Sequence, residues 1–271
     1  MKPSMSGYDI LGDIHGMLDE FREGVDRLGY VKHEGHWAHP DGRALISVGD
    51  LINGGPDSLG CLALIEEMVA DGVAEAVLGN HELNLLHLHA GLRARTPQHL
   101  RQLEQVLGQL EQSDAWDGVH RFLSARPLHL LLDDGRLRVV HACWHESSIP
   151  MLPDSVSDPT LLQRTAEAGD LRSRIENCVK GPLEPGTSWT DPAGLTRSER
   201  RVRWWEAYPA DAPFIAFGHY RFPWEAEGPT PRHPALLGPG QNAICLDYGL
   251  GWGGPLVALR YPEREILVIE P

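Results

Sequence analysis

The sequence predicts an α/β fold in which short buried strands alternate with amphipathic helices. Apolar runs of four or five residues, each ending in Gly or a polar residue, recur at 8–11, 44–48, 74–78, 137–140 and 214–217. Amphipathic helical stretches separate the first three runs, at 17–28 and 57–69. This alternation is typical of βαβ units, so we expect a largely parallel sheet.

The middle of the chain predicts helices followed by a hairpin and an insertion. A helical pattern covers 82–126, with Pro97 at a favourable first-turn position. The Asp- and Gly-containing segment 133–136 predicts a turn between two strands. Residues 150–200 hold many Pro, Gly and Ser around one helical stretch, 161–180, and predict an irregular insertion over one face.

The C-terminal part predicts antiparallel strands, because apolar runs separated by turn residues lie at 244–246, 255–261 and 265–269. The chain shows neither an internal repeat nor a composition break that would separate two folding units. We therefore expect a single domain over residues 1–271, with the segments 82–126 and 150–200 as additions to it.

Composition narrows the functional classes. The chain has 271 residues, with 38 Asp and Glu against 24 Lys and Arg and a formal charge of −14, which disfavours binding to a nucleic-acid duplex. Neither a secretory leader nor an apolar stretch long enough to span a bilayer is recognisable. The four cysteines are scattered without a CxxC pair, which is typical of reduced thiols. We expect a cytoplasmic protein without a membrane partner.

Polar residues follow five of the predicted strands, where an α/β sheet gathers its functional groups. Carboxylate and amide oxygens suit manganese or magnesium, and imidazole suits iron, zinc and manganese, so the mixture predicts a site for divalent metals. Asp50 could bridge two ions with its two oxygens. The candidates are Asp13, His15, Asp50, Asn80, His81, His141 and His219.

Each of these motifs alone has an ordinary structural interpretation, since Gly-Asp at a strand end is often turn chemistry. The three histidines His33, His36 and His39 lie in a polar stretch that we interpret as a hairpin rather than a metal site. The ordered set is more specific than its parts, because each motif follows a strand. In order, the motifs are Gly12-Asp13-Ile14-His15-Gly16, Gly49-Asp50, Gly79-Asn80-His81-Glu82, His141 and Gly218-His219.

This set resembles the signature of the calcineurin-like metallophosphoesterases, and it is most similar to their bacterial PPP-type branch, near the PrpE-like and diadenosine-tetraphosphatase-like enzymes. The run Arg201-Val202-Arg203-Trp204-Trp205 is a softer match to that branch. The resemblance implies two packed mixed β-sheets flanked by helices, with the active site at the carboxyl ends of the strands. It implies a phosphatase that uses a metal-bridging hydroxide.

The resemblance also implies residue roles. Two divalent ions are expected, manganese first, with iron, zinc, nickel or magnesium as alternatives. One ion would be held by Asp13, His15 and Asp50, and the other by Asp50, Asn80, His141 and His219. His81 would protonate the leaving oxygen rather than bind metal.

One departure from the family pattern concerns the second motif. The branch typically reads GDxxDRG, whereas this chain has Asn53 and Gly54 at the positions of the acidic and basic residues. Asn53 can hydrogen-bond His81 but brings no negative charge, and Gly54 cannot grip phosphate. Arg203, Arg221 and Lys180 are candidate replacements for the missing cation. We expect the substrate to contact Asn80, Arg203, Arg221 and His145.

Two substrate classes and one other functional class stay open. A phosphatase could act on phosphomonoesters, including nucleotides, or on phosphoproteins. A dinucleoside polyphosphate hydrolase would instead need an aromatic or basic wall for the base, for which the insertion at 150–200 is one source. The departure at Asn53 and Gly54 also allows a catalytically weakened regulatory protein that binds metal or phosphate.

Overall fold

The computed structural model describes residues 5–92, 99–190, 196–225 and 230–270. The described helices are α1 (Leu18–Arg27), α2 (Ser58–Ala70), α3 (Asn80–His89), α4 (His99–Gln112), α5 (Trp116–Ser124), α6 (Pro159–Ala166) and α7 (Asp170–Lys180). The described strands are β1 (Tyr8–Leu11), β2 (Val31–His33), β3 (His36–Ala38), β4 (Ala44–Ser47), β5 (Ala74–Ala76), β6 (His129–Leu132), β7 (Leu137–Val140), β8 (Leu183–Thr190), β9 (Thr196–Arg201), β10 (Phe214–Phe217), β11 (Ala243–Cys245), β12 (Leu256–Tyr261) and β13 (Glu265–Ile269).

The first sheet contains five strands in the order β13-β12-β1-β4-β5. Strands β1, β4 and β5 run parallel, and β12 and β13 add antiparallel partners. Helix α1 buries Leu18, Phe21 and Val25, and α2 begins where the Asp57 carboxylate accepts the N–H of Gly60 at 2.7 Å. The βαβ units predicted from the apolar runs are therefore confirmed.

The second sheet contains four strands in the order β11-β10-β7-β6. Strands β6 and β7 are antiparallel around the turn at 133–136, and the three-histidine stretch forms the β2–β3 hairpin, both as predicted. The expectation of an antiparallel strand at 244–246 is wrong, because β11 runs parallel to β10. Strand β11 follows β10 in the chain and runs in the same direction beside it.

The segments 82–126 and 150–200 contain more and shorter elements than the sequence pattern indicates. Segment 82–126 holds α4, α5 and most of α3, and Pro97 lies outside the described residues. The single helical stretch expected at 161–180 is two helices, α6 and α7, separated by Gly169 with a φ of +159°. The insertion also carries the β8–β9 hairpin. None of the described helices is long and apolar enough to cross a bilayer.

Backbone hydrogen bonds join the strand-end loops at one edge of the molecule. The N–H groups of Ile14 and His15 both donate to the carbonyl of Asp50, at 3.0 and 2.8 Å, and Gly218 N–H donates to the carbonyl of His141 at 2.8 Å. His141 Nδ1 donates to the carbonyl of Val48 at 2.7 Å, which links the second sheet to the first. The carboxyl ends of β1, β4, β7 and β10 therefore meet, as the sequence predicts.

Candidate active site

The loops after β1 and β4 hold their polar residues in unusual backbone conformations. His15, Asp50 and Asn53 have φ values of 49°, 51° and 71°, in the left-handed region that most L-residues avoid. His219, after β10, has a φ of 66°. Four such residues in one place indicate strain held by the surrounding structure, which is common at functional sites.

The strand-end side chains form a cluster around the carboxylate of Asp50. Its other members are Asp13, His15, Asn80, His81, His141 and His219. Asp50 Oδ2 lies 3.4 Å from His141 Nε2, 3.7 Å from His81 Nε2 and 3.9 Å from His15 Nε2. Asp13 Oδ2 lies 3.8 Å from His15 Nε2 on the other side. Three rings, two from strand-end loops and one from the first turn of α3, thus face one carboxylate oxygen.

Asn80 completes the opposite side of the cluster. One amide atom of Asn80 lies 3.1 Å from His141 Nε2 and 2.6 Å from His219 Nδ1. With oxygen at that position, three lone pairs face one another, an arrangement that a cation satisfies and that exchange of the amide O and N replaces with hydrogen bonds. Asp50, His141 and His219 also offer ligand atoms within 4.8 Å of one another.

The ring tautomers suit metal binding. His15 Nδ1 donates to the carbonyl of Asn53 at 3.0 Å, and His141 Nδ1 donates to that of Val48, so both Nε2 atoms present lone pairs to Asp50. Within the described part of the chain, His219 Nε2 is buried without a hydrogen-bond partner. Oxygen and imidazole donors in this mixture fit manganese and related divalent ions.

Buried charges at this edge perturb several pKa values. Burial, together with the charges of Asp247 and Asp50, raises the pKa of Asp13 well above its usual range. Burial works against the Asp50 carboxylate too, but His141, His81 and His15 lower its pKa well below the usual range. A cation would relieve this repulsion between buried carboxylates.

The pKa values of His15, His141 and His219 shift in opposite directions. Burial lowers the pKa of His219, and Arg201 and His141 lower it further. Burial and the nearby His81 lower the pKa of His15. At His141 the Asp50 carboxylate outweighs burial and raises the pKa.

His81 occupies the accessible side of the cluster. Its side chain is 18 % exposed, whereas those of His15 and His141 are 3 % and 0 % exposed. Asn53 Nδ2 donates to His81 Nδ1 at 2.7 Å, so neutral His81 carries its proton on Nε2, the atom that lies 3.7 Å from Asp50 Oδ2. Geometry alone also allows His81 to complete a metal group with His15 and Asp50.

The residues at the second motif, Asn53 and Gly54, fit the backbone conformation of this loop. Gly54 has a φ of +147°, and a Cβ there would lie 3.1 Å from His15 Cβ and 3.2 Å from the carbonyl oxygen of His15. Asn53 tolerates its left-handed conformation better than most residues. The loop at this position therefore favours glycine, and a side chain at position 54 would press on His15.

The other predicted substrate contacts are spread around the cluster. Arg203 is exposed and pairs with Glu206 at 2.9 Å. His145 is exposed, and its Nδ1 bonds the hydroxyls of Ser147 and Ser148, both at 3.1 Å. Lys180 Nζ pairs with Glu176 at 2.9 Å. These residues stay predictions, and the structure draws none of them into the group around Asp50.

The structure adds two buried carboxylates that sequence reasoning missed. Glu82 accepts the N–H groups of Gly79, Asp50 and Leu51 at 3.1, 3.0 and 2.8 Å, and burial raises its pKa to about 7. Asp247 accepts the N–H groups of Arg221 and Gly249 at 2.6 and 2.9 Å. The position of Glu82, three residues after a helix N-cap, was the available signal.

Arg201 is a cation that the sequence offered only within a softer match. It ends β9, and after burial its charge is the largest cause of the lowered pKa of His219. Its Nη1 donates to the carbonyls of Lys180 and Gly181. The charge of Arg201 therefore acts on His219, whereas the contact described for Arg203 is the ion pair with Glu206.

Comparisons with known sequences agree with the motif set. The profile of the family described as calcineurin-like phosphoesterase matches residues 8–250. A bis(5'-nucleosyl)-tetraphosphatase PrpE [asymmetrical] from Halalkalibacterium halodurans is 30% identical over 267 residues, covering 97% of this chain and 93% of its own. The protein of the same name from Geobacillus thermodenitrificans is 32% identical over 265 residues, covering 96% and 93%.

Solved structures with the same fold include the cold-active protein-tyrosine phosphatase of a psychrophilic Shewanella. The TM-score is 0.59 at 15% identity, and the match covers 98% of this chain and 81% of that one. At this identity the likeness concerns the fold alone. It supports the packed mixed sheets that the family resemblance implies.

Proposed function

This chain belongs to the calcineurin-like phosphoesterase family and is a metal-dependent phosphoester hydrolase; we propose that the cluster around Asp50 is its catalytic centre and that a dinucleoside polyphosphate is its substrate. The observation that carries the first part is the convergence of His15, His81 and His141 on one oxygen of Asp50. The sequences of the two tetraphosphatase relatives support the second part.

The ligand roles divide the cluster in two. Asp13 and His15 share Asp50 on one side, and Asn80, His141 and His219 share it on the other, so the set suits two divalent ions. Manganese is our choice, because oxygen and imidazole donors are mixed and thiolates are absent from this group of residues. Such ions supply Lewis-acid polarisation of the phosphoryl oxygens and an activated water.

The remaining residues act on the substrate and its protons. His81 lies on the accessible side of the cluster, holds a proton at Nε2 and would deliver it to the leaving oxygen. Asn53 orients the ring of His81 through Nδ1. The backbone N–H of His81 donates to Asp50 Oδ1 at 2.9 Å, which ties the proposed acid to the bridging carboxylate. Arg201 would add positive charge on the side of His219.

The test is turnover of diadenosine tetraphosphate by the purified, manganese-supplemented protein, with the products separated by ion-exchange chromatography. Asymmetrical cleavage gives a nucleoside triphosphate and a nucleoside monophosphate. Glycerol phosphate and a phosphoserine peptide, which represent the phosphomonoester and phosphoprotein substrates also expected from the sequence, serve as comparisons. A higher kcat/KM on either comparison, with no cleavage of the dinucleotide, would overturn the substrate assignment and leave the catalytic centre standing.

A further inference from the structure

Trp252 is an exposed aromatic side chain beside the proposed catalytic centre. It is 56 % exposed, and its ring packs edge-on against His15 with the ring centroids 4.8 Å apart. The other exposed large apolar side chains of the described residues are Val31, Leu131, Met151, Leu183 and Ile266. Trp252 therefore presents an exposed aromatic surface next to a residue of the cluster.

Arg221 is stacked on the same indole. Its guanidinium carbon lies 4.8 Å from the centroid of the Trp252 ring, and among the described residues this guanidinium has no carboxylate partner. Arg221 is itself exposed, so its charge and one surface of the stack face solvent. Arg221 thus places an exposed positive charge against the Trp252 ring that contacts His15, in a chain with a formal charge of −14.

The buried carboxylate of Asp247 holds the backbone segments that carry Arg221 and Trp252. Its Oδ2 accepts the N–H of Arg221, which has a φ of 40°, and its Oδ1 accepts the N–H of Gly249, which begins the turn that carries Trp252. Gly251 approaches His15 so closely that a Cβ there would lie 2.9 Å from His15 Cβ. A buried carboxylate, the strained backbone of Arg221 and the close approach of Gly251 to His15 therefore hold the pair against the centre.

We propose that the Trp252–Arg221 pair is the subsite for one nucleobase of the substrate, with the base stacked against the indole and the guanidinium facing the polyphosphate. This inference rests on the proposed function, because it presumes a nucleotide substrate. It places the aromatic wall in the C-terminal turn, whereas the insertion at 150–200 was the expected source.

The chemistry favours a nucleobase over another ligand. Every base presents a π face, and stacking on an aromatic ring is tolerant of base identity. Arg planes also stack on bases and pair with phosphate oxygens. A ribose alone separates the base from its first phosphate, so a base beside His15 brings its own phosphate chain to the cluster without a long tether.

The experiment compares Trp252→Ala, Trp252→Leu and Trp252→Phe with the unmodified manganese-loaded protein. Because Trp252 touches His15, the readout is the ratio of kcat/KM on diadenosine tetraphosphate to that on glycerol phosphate, which has no ring. Loss of base stacking should lower this ratio about tenfold to a hundredfold in the Ala and Leu variants. The Phe variant should retain most of it. Leu131→Ala removes an equally exposed side chain (56 %) from the edge strand β6 and should leave the ratio unchanged.

Product inhibition gives an independent readout. Adenosine monophosphate should inhibit the Ala and Leu variants more weakly than the unmodified protein, whereas inorganic phosphate should inhibit all of them alike. Unchanged ratios and unchanged inhibition by adenosine monophosphate would overturn the inference while dinucleotide cleavage persists. Absence of dinucleotide cleavage in the unmodified protein would instead overturn the substrate assignment, and the inference with it.

Discussion

His81 is the accessible ring of the cluster, and its exposure separates its role from those of the buried histidines. The rings of His15 and His141 have Nδ1 committed to backbone carbonyls and Nε2 directed at Asp50. The ring of His81 differs in that its Nδ1 receives a hydrogen bond from Asn53 and its side chain is 18 % exposed, although its Nε2 also lies 3.7 Å from Asp50 Oδ2. The greater exposure of His81 suits a proton donor, whereas the buried rings of His15 and His141 suit metal ligands.

His81→Ala should lower kcat by about 10²- to 10⁴-fold, because general acid catalysis is worth roughly this factor. The metal content should stay unchanged, since His81 is not needed to hold either ion. Elemental analysis alongside steady-state kinetics measures both quantities. Asp50→Ala is the matched variant and should lose metal as well as activity. If His81→Ala strips metal but keeps the normal rate per remaining ion, His81 is a ligand.

Asn53→Asp should raise kcat/KM on glycerol phosphate and extend activity to higher pH. In the unmodified chain Nδ1 accepts from Asn53, so His81 donates from Nε2 as a neutral ring. A carboxylate at Nδ1 favours the imidazolium, which is a stronger acid, and raises the pKa of His81 so that this form persists to higher pH. The alkaline limb of the kcat profile should therefore move upward, whereas Asn53→Ala should not move it in that direction. An alkaline limb that stays in place in a folded Asn53→Asp protein contradicts the role given to this pair. Gly54→Arg is unsuitable as a companion, because its Cβ would crowd His15.

The sequence motifs predicted which residues would gather at the strand ends but not their geometry, and the roles of these residues stay predictions. Asp13, His15, Asp50, Asn80, His141 and His219 were expected together, since each follows a strand. The left-handed backbone of His15, Asp50 and His219 has no such signal, because it results from loop-to-loop hydrogen bonds that form only in the fold. The same is true of Trp252, which reaches His15 from a turn more than 200 residues away in sequence.

One buried carboxylate joins the start of helix α3 to the loop that follows β4. Asn80 and His81 begin this helix, and Glu82 in its first turn accepts N–H groups from both the Gly79 end and the Asp50 loop. A single side chain thus fixes the relative position of two motif loops. This contact explains why the two loops arrive with their ligands facing each other.

Glu82→Gln should destabilise the protein by about 1–3 kcal/mol, because an amide nitrogen would face a buried N–H that needs an acceptor. The midpoint of urea unfolding for the chelated protein measures this loss, and Glu23→Gln on the exposed face of α1 is the control. Metal affinity should fall in the same variant, since the Asp50 loop is then less fixed. Stability equal to that of Glu23→Gln is inconsistent with Glu82 as the joint between the loops.

Element prediction succeeded where the apolar pattern alone decides the structure. The strands β1, β4, β7 and β10 follow from buried runs, and α1 and α2 follow from amphipathic periodicity. The direction of β11 did not follow, because a run of three apolar residues carries no information on how the chain returns to the sheet. The break between α6 and α7 depends on the conformation of Gly169, which periodicity cannot register.

At the scale of the whole molecule, two sheets bring buried carboxylates and imidazoles to one edge. Metal affinity should fall with decreasing pH, because protons compete for the ligands. The raised pKa values of His141 and Asp13 mean that both groups bind protons at a higher pH than they otherwise would. The manganese dissociation constant should therefore rise as the pH falls from about 7.5 to about 5.5, roughly tenfold per pH unit for each proton displaced. Calorimetric titration across this range measures it, and a constant affinity contradicts the ligand set.

We propose that the cluster around Asp50 is a two-metal catalytic centre. The most direct test is elemental analysis of the manganese-reconstituted protein, combined with hydrolysis assays before and after chelation. The structure predicts about two ions per chain, abolished hydrolysis in excess chelator and recovery when manganese returns. Full hydrolysis in excess chelator, with no metal retained by the protein, would contradict it.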